Sequence, residues 1–518
     1  MNPTAWIVAC ALASAIATPA ARAAASPTDS AARVRLDAGI VEGRADGPLL
    51  AFKGIRYAAP PVGELRWRAP QAVAPWPGVQ AATAPGNGCV QNAQASIDNG
   101  GDARPIGEDC LFLNVWTPGL DAAAKRPVMV WIHGGALVFG SGSLPLYDGA
   151  AFAQRGAVVV TINYRLGALG FFAHPALAGE GGAVNFGLLD QVAALQWVQR
   201  HIARFGGDPG NVTIFGQSAG AESVLALFTS PLAKGLFHKG IAQSPYGVPA
   251  HTLAQARASA AKVASALQLN GAQASAAQLR AVPAEAFGTL AGPGLSLAPA
   301  FVVGDRALPK PILASFQKGE QAQRPLIIGN TSDDGSVAVA FGLDPAALVK
   351  RLGAARVVVK ALYPKDLSDA QLGRQTARDL VFTAFVRRIA YLHASRAPTW
   401  RYYFGYVAEG RHDQPAGVPH GAEVAFTLGT LEGCQCLGAP VTAQDRATAA
   451  RMTERWFEFA RSGTPVPRDA DVWPRDDRRH AKLLEIGATD AVRIDFMKPR
   501  LDAFIGTLRL IGAFSGPK

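Results

Sequence analysis

Short apolar runs rich in β-branched residues alternate along the chain with segments whose apolar residues recur at helical spacing. Four of the runs end in glycine-rich turns, at 127–132, 158–162, 212–215 and 325–328. Runs that are apolar at nearly every position are typical of parallel strands buried on both faces. Alternation of such strands with helices indicates the α/β class. The pattern therefore predicts a largely parallel central sheet with helices on both faces.

The clearest helical segment is 186–204, where apolar residues recur three and four positions apart. Gly206 and Gly207 follow it, and glycine commonly ends a helix. A last amphipathic helix is predicted at 443–461. Its apolar face is interpreted as core packing rather than as part of a functional site.

Two alanine-rich helical segments, at about 251–305 and 341–397, interrupt the rhythm of strands. We interpret them as helical cap insertions over one end of the sheet. The chain has neither an internal repeat nor a long linker, although its 518 residues could form two or three domains. Its organisation therefore favours a single domain over 24–518.

The N-terminal residues differ from the rest of the chain. Residues 5–17 are almost continuously apolar but shorter than the roughly 20 residues of a membrane span. Ala-Arg-Ala at 21–23 has the pattern of a signal peptidase site. We predict that 1–23 is a cleaved secretion signal and that the protein is secreted or periplasmic, with a lipid-modified Cys10 as the alternative. No later stretch is apolar enough to predict stable membrane insertion.

Composition and charge narrow the functional class. The chain is 49% apolar and 17% charged, which fits a large buried core and excludes wholesale disorder. Its 50 Lys and Arg against 39 Asp and Glu give a net charge of +11, or +10 once Arg22 leaves with the signal. No block of basic residues is present, so nucleic-acid binding is not predicted. The role of the surplus charge and the oligomeric state are left open.

Four cysteines would remain after cleavage of the signal, namely Cys89, Cys110, Cys434 and Cys436. Cys89 and Cys110 enclose a polar, glycine-rich loop that a disulfide could close in an oxidising compartment. Two unrelated buried thiols are the alternative. Cys434 and Cys436 are separated by one residue, so they would form a strained, labile disulfide or stay reduced. No further metal ligands lie near them in the sequence, and no metal site is predicted.

The sequence Gly-Gln-Ser-Ala-Gly at 216–220 lies directly between the strand at 212–215 and a predicted helix at 221–228. In such a strand–turn–helix elbow the serine adopts strained backbone angles, and the two glycines avoid collisions with neighbouring elements. This context predicts Ser218 as a nucleophile. Its hydroxyl is expected to project into solvent above the sheet.

A second glycine-rich turn, His-Gly-Gly-Ala at 133–136, follows the strand at 127–132. Small residues there would let backbone N–H groups approach a carbonyl oxygen, and Ala219 at the start of its helix supplies another N–H. These donors predict an oxyanion hole, with an ordinary turn as the alternative. His133 is interpreted as a residue that orients the loop rather than as a base.

A nucleophilic serine needs a base, and the base needs an acid that orients it. In a sheet of this topology the three follow in the order serine, carboxylate, histidine. Asp333 and Asp334 follow the strand at 325–328, and His420 follows an aromatic strand at 400–406. The order favours Asp334 and His420, although an aspartate pair by itself is typical of a solvated turn.

Several further motifs along the chain make the resemblance to one protein family specific. Over about 34–465 the chain closely resembles the type B carboxylesterase family of serine esterases, which includes bacterial carboxylesterases, fungal lipases and animal cholinesterases. The resemblance rests on the elbow, on the 133–136 loop, and on FKGIRYA at 52–58, EDCLFLNV at 108–115, NYRLG at 163–167, NFGLLDQ at 185–191 and FGGDP at 205–209.

The resemblance implies an α/β-hydrolase fold and hydrolysis of small-molecule carboxylic esters through an acyl-enzyme, with no metal or organic cofactor. It implies that Ser218 is the nucleophile, His420 the base and Asp334 the orienting acid. It also implies that the N–H groups of Gly135, Ala136 and Ala219 form an oxyanion hole. It further implies that Cys89 and Cys110 form the family's first disulfide.

Three departures from the family pattern affect which properties of the family can be expected of this chain. The acid is usually glutamate, and the shorter Asp334 requires either a closer loop or help from Asp333. The residue before the nucleophile is usually glutamate, and Gln217 lacks that charge. Residues 90–109 contain no tryptophan for a cation–π contact, so a preference for choline esters is not expected.

Two alternatives to a carboxylesterase are considered. One is a lipase that acts on long-chain esters at an interface. The other is a non-catalytic binding or adhesion homologue, which the intact serine, aspartate and histidine disfavour. The sequence predicts neither the acyl nor the alcohol group of the substrate.

Overall fold

The computed structural model describes residues 32–98, 105–179, 181–290, 297–412, 416–434, 437–466 and 473–510. The predicted secretion signal at 1–23 lies outside the described residues, as do Cys10, Cys436 and the segment 291–296 of the first predicted cap.

Thirteen strands form one sheet in the order β1-β2-β3-β7-β9-β8-β10-β11-β14-β15-β16-β17, with β4 added beside β2. The strands from β9 through β8 to β16 pair in parallel. The pairs towards either edge are antiparallel, except that β4 is parallel to β2. The strands are β1 (Ala32–Arg35), β2 (Ile40–Asp46), β3 (Leu49–Arg56), β4 (Val79–Ala81), β5 (Gly88–Cys89), β6 (Ile106–Gly107), β7 (Phe112–Thr117), β8 (Arg126–Ile132), β9 (Val158–Ile162), β10 (Gly207–Gln217), β11 (Lys239–Gln243), β12 (His251–Thr252), β13 (Val302–Val303), β14 (Leu326–Thr331), β15 (Thr399–Phe404), β16 (Lys482–Ile486) and β17 (Ala491–Ile494).

Helices lie in the connections between the strands, and the last helix follows the last strand. They are α1 (Ala93–Asp98), α2 (Ala150–Gln154), α3 (Gly167–Gly170), α4 (Phe186–His201), α5 (Ala219–Thr229), α6 (Leu253–Ala266), α7 (Ala276–Ala281), α8 (Ala284–Gly288), α9 (Ile312–Lys318), α10 (Ser336–Ala340), α11 (Pro345–Arg351), α12 (Ala355–Ala361), α13 (Asp369–Ala377), α14 (Ala384–His393), α15 (Glu423–Leu428), α16 (Leu431–Cys434), α17 (Ala443–Ser462) and α18 (Lys498–Leu510). A π-helical turn, Arg378–Thr383, joins α13 to α14.

The side chains of β8 alternate between two hydrophobic cores. Val130 and Ile132 pack into the core on one face of the sheet, and Met129 and Trp131 pack into the core on the other. All of these side chains are fully buried. Burial on both faces explains why the run is apolar at every position. The prediction of an α/β fold with helices on both faces is confirmed.

The predicted helix at 186–204 is present as α4, which is followed by a 3₁₀ turn, Ile202–Phe205. It differs from an amphipathic surface helix because twelve of its sixteen residues are buried. The polar side chain of Asp190 is among them, and it accepts hydrogen bonds from the guanidinium of Arg165 at 2.7 and 2.8 Å. The charge of Asp190 is therefore satisfied inside the protein by Arg165.

The functional residues predicted from the sequence follow the carboxyl ends of three parallel strands. Ser218 follows β10, Asp334 lies three residues beyond β14, and His420 lies in the connection after β15. The second predicted cap segment contains α11 to α14, and the first contains α6 to α8. Residues of both segments line one cavity with Ser218 and His420.

Candidate active site

Ser218 occupies a sharp turn between β10 and α5. Its φ of 57° and ψ of −123° are strained for a residue with a side chain. The turn is held by the N–H of Ser218, which donates to the carbonyl of Gln243 at 2.8 Å. A Cβ at Gly216 or Gly220 would collide with the carbonyl oxygen of Ile132 on the neighbouring strand. The two glycines are therefore required for the elbow to pack against β8.

The hydroxyl of Ser218 does not project into open solvent, so that expectation is wrong. Ser218 is only 9% exposed and lines a cavity of about 540 Å³. The cavity is covered by Ala298–Phe301 and by residues between Val337 and Phe382. The sequence pattern predicted these insertions, but their placement over the serine depends on tertiary packing.

Asp334 and His420 form a direct hydrogen bond. The Nδ1 atom of His420 lies 2.6 Å from Oδ1 of Asp334, and Asp334 is fully buried. The other carboxylate oxygen accepts hydrogen bonds from the N–H of Thr331 at 2.9 Å and from the hydroxyl of Ser244 at 3.1 Å. Because the carboxylate accepts, Nδ1 carries the proton, and the lone pair of His420 lies on Nε2.

The backbone of His420 is also fixed. Its N–H donates to the hydroxyl of Ser336 at 2.8 Å, and its ring lies 5.1 Å from the ring of Phe382. Neither Ser244 nor Ser336 belongs to a motif that the sequence analysis used. The one available signal was the position of Ser244 directly after β11, at the same edge of the sheet as Ser218.

Asp333 has a different partner from Asp334. Its carboxylate accepts a hydrogen bond from Nε of Arg374 at 2.7 Å, and its N–H donates to the carbonyl of Val418. Burial raises the pKa of Asp333 above its usual value, although Arg374 opposes this effect. The side chain of Asp333 thus links the loop after β14 to Arg374 of α13. The side chain of Asp334 faces the histidine.

Gln217 contacts the histidine from the other side. Its side-chain amide nitrogen lies 3.1 Å from Nε2 of His420. An amide nitrogen can only donate, so this contact occupies the lone pair of the imidazole. Gln217 is a departure from the family pattern, but this contact was not predicted from the sequence.

The glycine-rich loop after β8 lies against the serine. A Cβ built on Gly134 would be 3.2 Å from Cβ of Ser218, and Ala136 lines the same cavity as the serine. Gly135, Ala136 and Leu137 all have positive φ, so the loop has an unusual left-handed course. Ala219 begins α5, where backbone N–H groups have no partner within the helix. Ala136 thus shares the cavity with the serine, and Ala219 follows the serine directly in the chain, while the oxyanion hole formed by Gly135, Ala136 and Ala219 stays a prediction.

His133 is the first residue of this loop, directly after β8. It is fully buried, stacks on Tyr164 at 4.4 Å between ring centroids, and its Nδ1 is 2.8 Å from the carbonyl of Gly134. Burial lowers its pKa to about 4, so it is neutral at pH 7. This environment agrees with its interpretation as a loop-orienting residue.

The cavity is lined mainly by apolar side chains. Among the residues that line it in the described part of the chain there is no Lys or Arg, so the surplus positive charge does not surround the serine. Of the described residues in the lining, Glu222 alone carries a carboxyl group, and no motif in the sequence pointed to it. Its position four residues after Ser218 in a predicted helix could have identified it.

The remaining sequence predictions concern cysteines, metals and membranes. Cys89 and Cys110 form a disulfide, as predicted. Cys434 is also disulfide-bonded, which excludes the reduced alternative for this thiol, and Cys436 lies outside the described residues. In the described ranges, no group of three or more His, Cys, Asp and Glu side chains could hold a metal ion. Within the same ranges, none of the helices has both the length and the apolar character needed to cross a membrane.

A serine in a strand–turn–helix elbow at the carboxyl edge of a parallel sheet is the arrangement found in proteins of the α/β-hydrolase fold. Solved structures agree with this class. A carboxylesterase of Geobacillus stearothermophilus, Est55, superimposes with a TM-score of 0.79 at 31% identity, covering 91% of this chain and 99% of that one. A PNB esterase superimposes with a TM-score of 0.78 at 32% identity, with the same coverage of each chain.

The family follows from the sequence comparisons. The model of the carboxylesterase family matches residues 30–358 and 368–504. The chain is 37% identical to fumonisin B1 esterase of Sphingopyxis macrogoltabida, over 88% of this chain and 86% of that protein. It is 36% identical to para-nitrobenzyl esterase of Bacillus subtilis, over 86% and 93%. The chain belongs to the carboxylesterase family and is a carboxylic ester hydrolase.

Proposed function

We propose that the protein hydrolyses small carboxylic esters through an acyl-enzyme formed on Ser218. In the first step the serine oxygen bonds to the ester carbonyl carbon while Nε2 of His420 takes the serine proton. Collapse of the tetrahedral intermediate breaks the bond to the alcohol, which leaves with the proton from His420. Water then repeats the sequence on the acyl-enzyme, releases the acid and restores Ser218. The reaction needs no cofactor.

The single observation that supports this proposal most strongly is the His420–Asp334 hydrogen bond of 2.6 Å beside a serine in the same cavity. Asp334 fixes the tautomer in which Nε2 can accept a proton, and it stabilises the imidazolium formed afterwards. The N–H groups of Gly135, Ala136 and Ala219 would stabilise the oxyanion. The lone pair of Nε2 can accept one donor at a time, so Gln217 must release it before Ser218 transfers its proton.

The direct test is hydrolysis of 4-nitrophenyl butyrate by the wild type and by Ser218→Ala. We expect the variant to lose at least about 10⁴-fold in kcat, because no other group can carry the acyl intermediate. Ser230→Ala is a matched control, since Ser230 is also buried but does not line this cavity. Equal rates for wild type and Ser218→Ala would refute the proposal and would favour a non-catalytic binding homologue.

A lipase is the second candidate, and one observation favours it. Val248 and Leu343 both line the cavity and are 55% and 46% exposed, so the cavity is continuous with an apolar surface. A lipase would show a sharp rise in rate when tributyrin exceeds its solubility. A carboxylesterase would reach saturation below that concentration, which is the outcome we expect.

We also propose that the protein is exported, with residues 1–23 removed. The apolar stretch at 5–17 and the Ala-Arg-Ala sequence support this, and the Cys89–Cys110 disulfide is of the kind that persists in an oxidising compartment. The intact mass of protein from a secreting host should correspond to a chain that begins at Ala24. Retention of the full chain in the cytosolic fraction would contradict export.

A further inference from the structure

Glu222 lies one helical turn beyond the proposed nucleophile. Its N–H donates to the carbonyl of Ser218 at 2.9 Å, and residues four apart lie on the same face of a helix. Its side chain lines the cavity that contains Ser218 and His420, although Glu222 is only 5% exposed. A carboxyl group is therefore built into the wall of the substrate cavity, close to the position where the ester would react.

The surroundings of Glu222 offer the carboxyl group little compensation. It accepts a hydrogen bond from the backbone N–H of Tyr246, and its Oε2 has no hydrogen-bond partner among the described residues. Burial raises the pKa of Glu222 to about 8. Two titratable groups, Tyr246 and His420, line the same cavity as Glu222. Burial and then the charge of Glu222 raise the pKa of Tyr246.

A buried carboxylate is costly unless a positive charge or hydrogen-bond donors accompany it. No Lys or Arg of the described chain lines this cavity, so the protein does not provide the positive charge from there. A bound substrate could provide it.

We propose that Glu222 is a specificity-determining residue that favours esters carrying a cationic nitrogen in the acyl or the alcohol part. The inference rests on the proposed esterase function. A cationic group in the cavity would stabilise the ionised carboxylate, and the charge attraction acts over several ångströms without direct contact. This attraction does not require a cation–π contact, and residues 90–109 contain no tryptophan that could make one.

The test uses two pairs of substrates that match in shape and differ in charge. The acyl pair is 4-nitrophenyl 4-(trimethylammonio)butanoate and 4-nitrophenyl 5,5-dimethylhexanoate. The alcohol pair is 2-(trimethylammonio)ethyl acetate and 3,3-dimethylbutyl acetate. For each pair the ratio of kcat/KM, cationic over neutral, is measured from pH 6.5 to 9 and corrected for spontaneous hydrolysis. The ratio cancels effects on the catalytic groups that both esters share.

In the wild type we expect the ratio to rise with pH in at least one pair, by about five- to tenfold between pH 7 and pH 9. The ratio should rise rather than fall because the Glu222 carboxyl group, with its raised pKa, is mostly neutral at pH 7 and mostly ionised at pH 9. Glu222→Gln keeps the shape without the charge, and its ratio should be lower at pH 9 and independent of pH. Glu222→Asp should retain part of the pH dependence.

Thr376→Val is the matched control, because Thr376 is an uncharged polar residue in the same cavity lining. Its ratio should rise with pH as in the wild type. A flat ratio in both pairs for the wild type, or the same rise in Glu222→Gln, would overturn the inference. If the wild type hydrolyses neither member of a pair, nor 4-nitrophenyl butyrate, the proposed function itself fails.

Discussion

The two sides of the cavity are built differently. On the sheet side, Ser218, Asp334 and His420 are each held by backbone or side-chain hydrogen bonds, and Asp334 has no exposed surface. On the cap side, the lining is almost entirely apolar, and Leu343 is 46% exposed. Directional bonds fix the position of reacting groups, whereas apolar contacts impose shape with little direction. We infer that the hydrogen-bonded residues of the sheet side determine the chemistry and that the cap side selects substrates by the shape of their apolar parts.

The sharpest test of this comparison replaces each of the two adjacent aspartates in turn. Asp334→Asn should lower kcat by about 10³- to 10⁴-fold, because an amide cannot orient and stabilise the imidazolium. Asp333→Asn should change kcat by no more than about threefold, since its partner is Arg374. Steady-state hydrolysis of 4-nitrophenyl butyrate measures both. Similar losses in the two variants would mean that Asp333 also acts on His420.

A change on the cap side should alter selectivity and leave the chemistry intact. Phe341 lines the cavity, and Phe341→Ala removes apolar surface that a long acyl chain would cover. We expect kcat/KM for a nitrophenyl octanoate to fall about five- to tenfold relative to the acetate. Val357→Ala is the control, because Val357 is 75% exposed and lies outside the cavity lining. An equal fall for both chain lengths in Phe341→Ala would contradict the division of roles.

The smallest effect concerns Gln217, which lies on the sheet side next to Nε2 of His420. Gln217→Glu would place a negative charge beside the imidazole and favour its protonated form. Because only the neutral imidazole can act as base, the acid limb of the kcat/KM profile should move up by about one pH unit. Gln217→Met, which has no charge, should not produce this shift. An unchanged acid limb in the glutamate variant would show that the contact does not persist in solution.

The sequence predicted the features that depend on neighbouring residues. The elbow around Ser218 is a local pattern of glycines between a strand and a helix, and the two sides of β8 are evident from its uniformly apolar run. The sequence favoured Asp334 as the acid but could not show whether Asp333 assists it, because that depends on Arg374, which is 41 residues away from Asp333. The contact between Gln217 and His420 joins residues 203 positions apart. The burial of Ser218 likewise depends on how distant insertions pack over it.

Covalent labelling tests the central claim most directly. A 4-nitrophenyl phosphonate transfers its phosphonyl group to an activated serine and releases nitrophenol, and mass spectrometry of peptides identifies the labelled residue. We predict one label per chain, on Ser218, and much slower labelling in His420→Ala. A label on another serine, or ester hydrolysis that continues after the reagent has failed to label Ser218, would contradict the account.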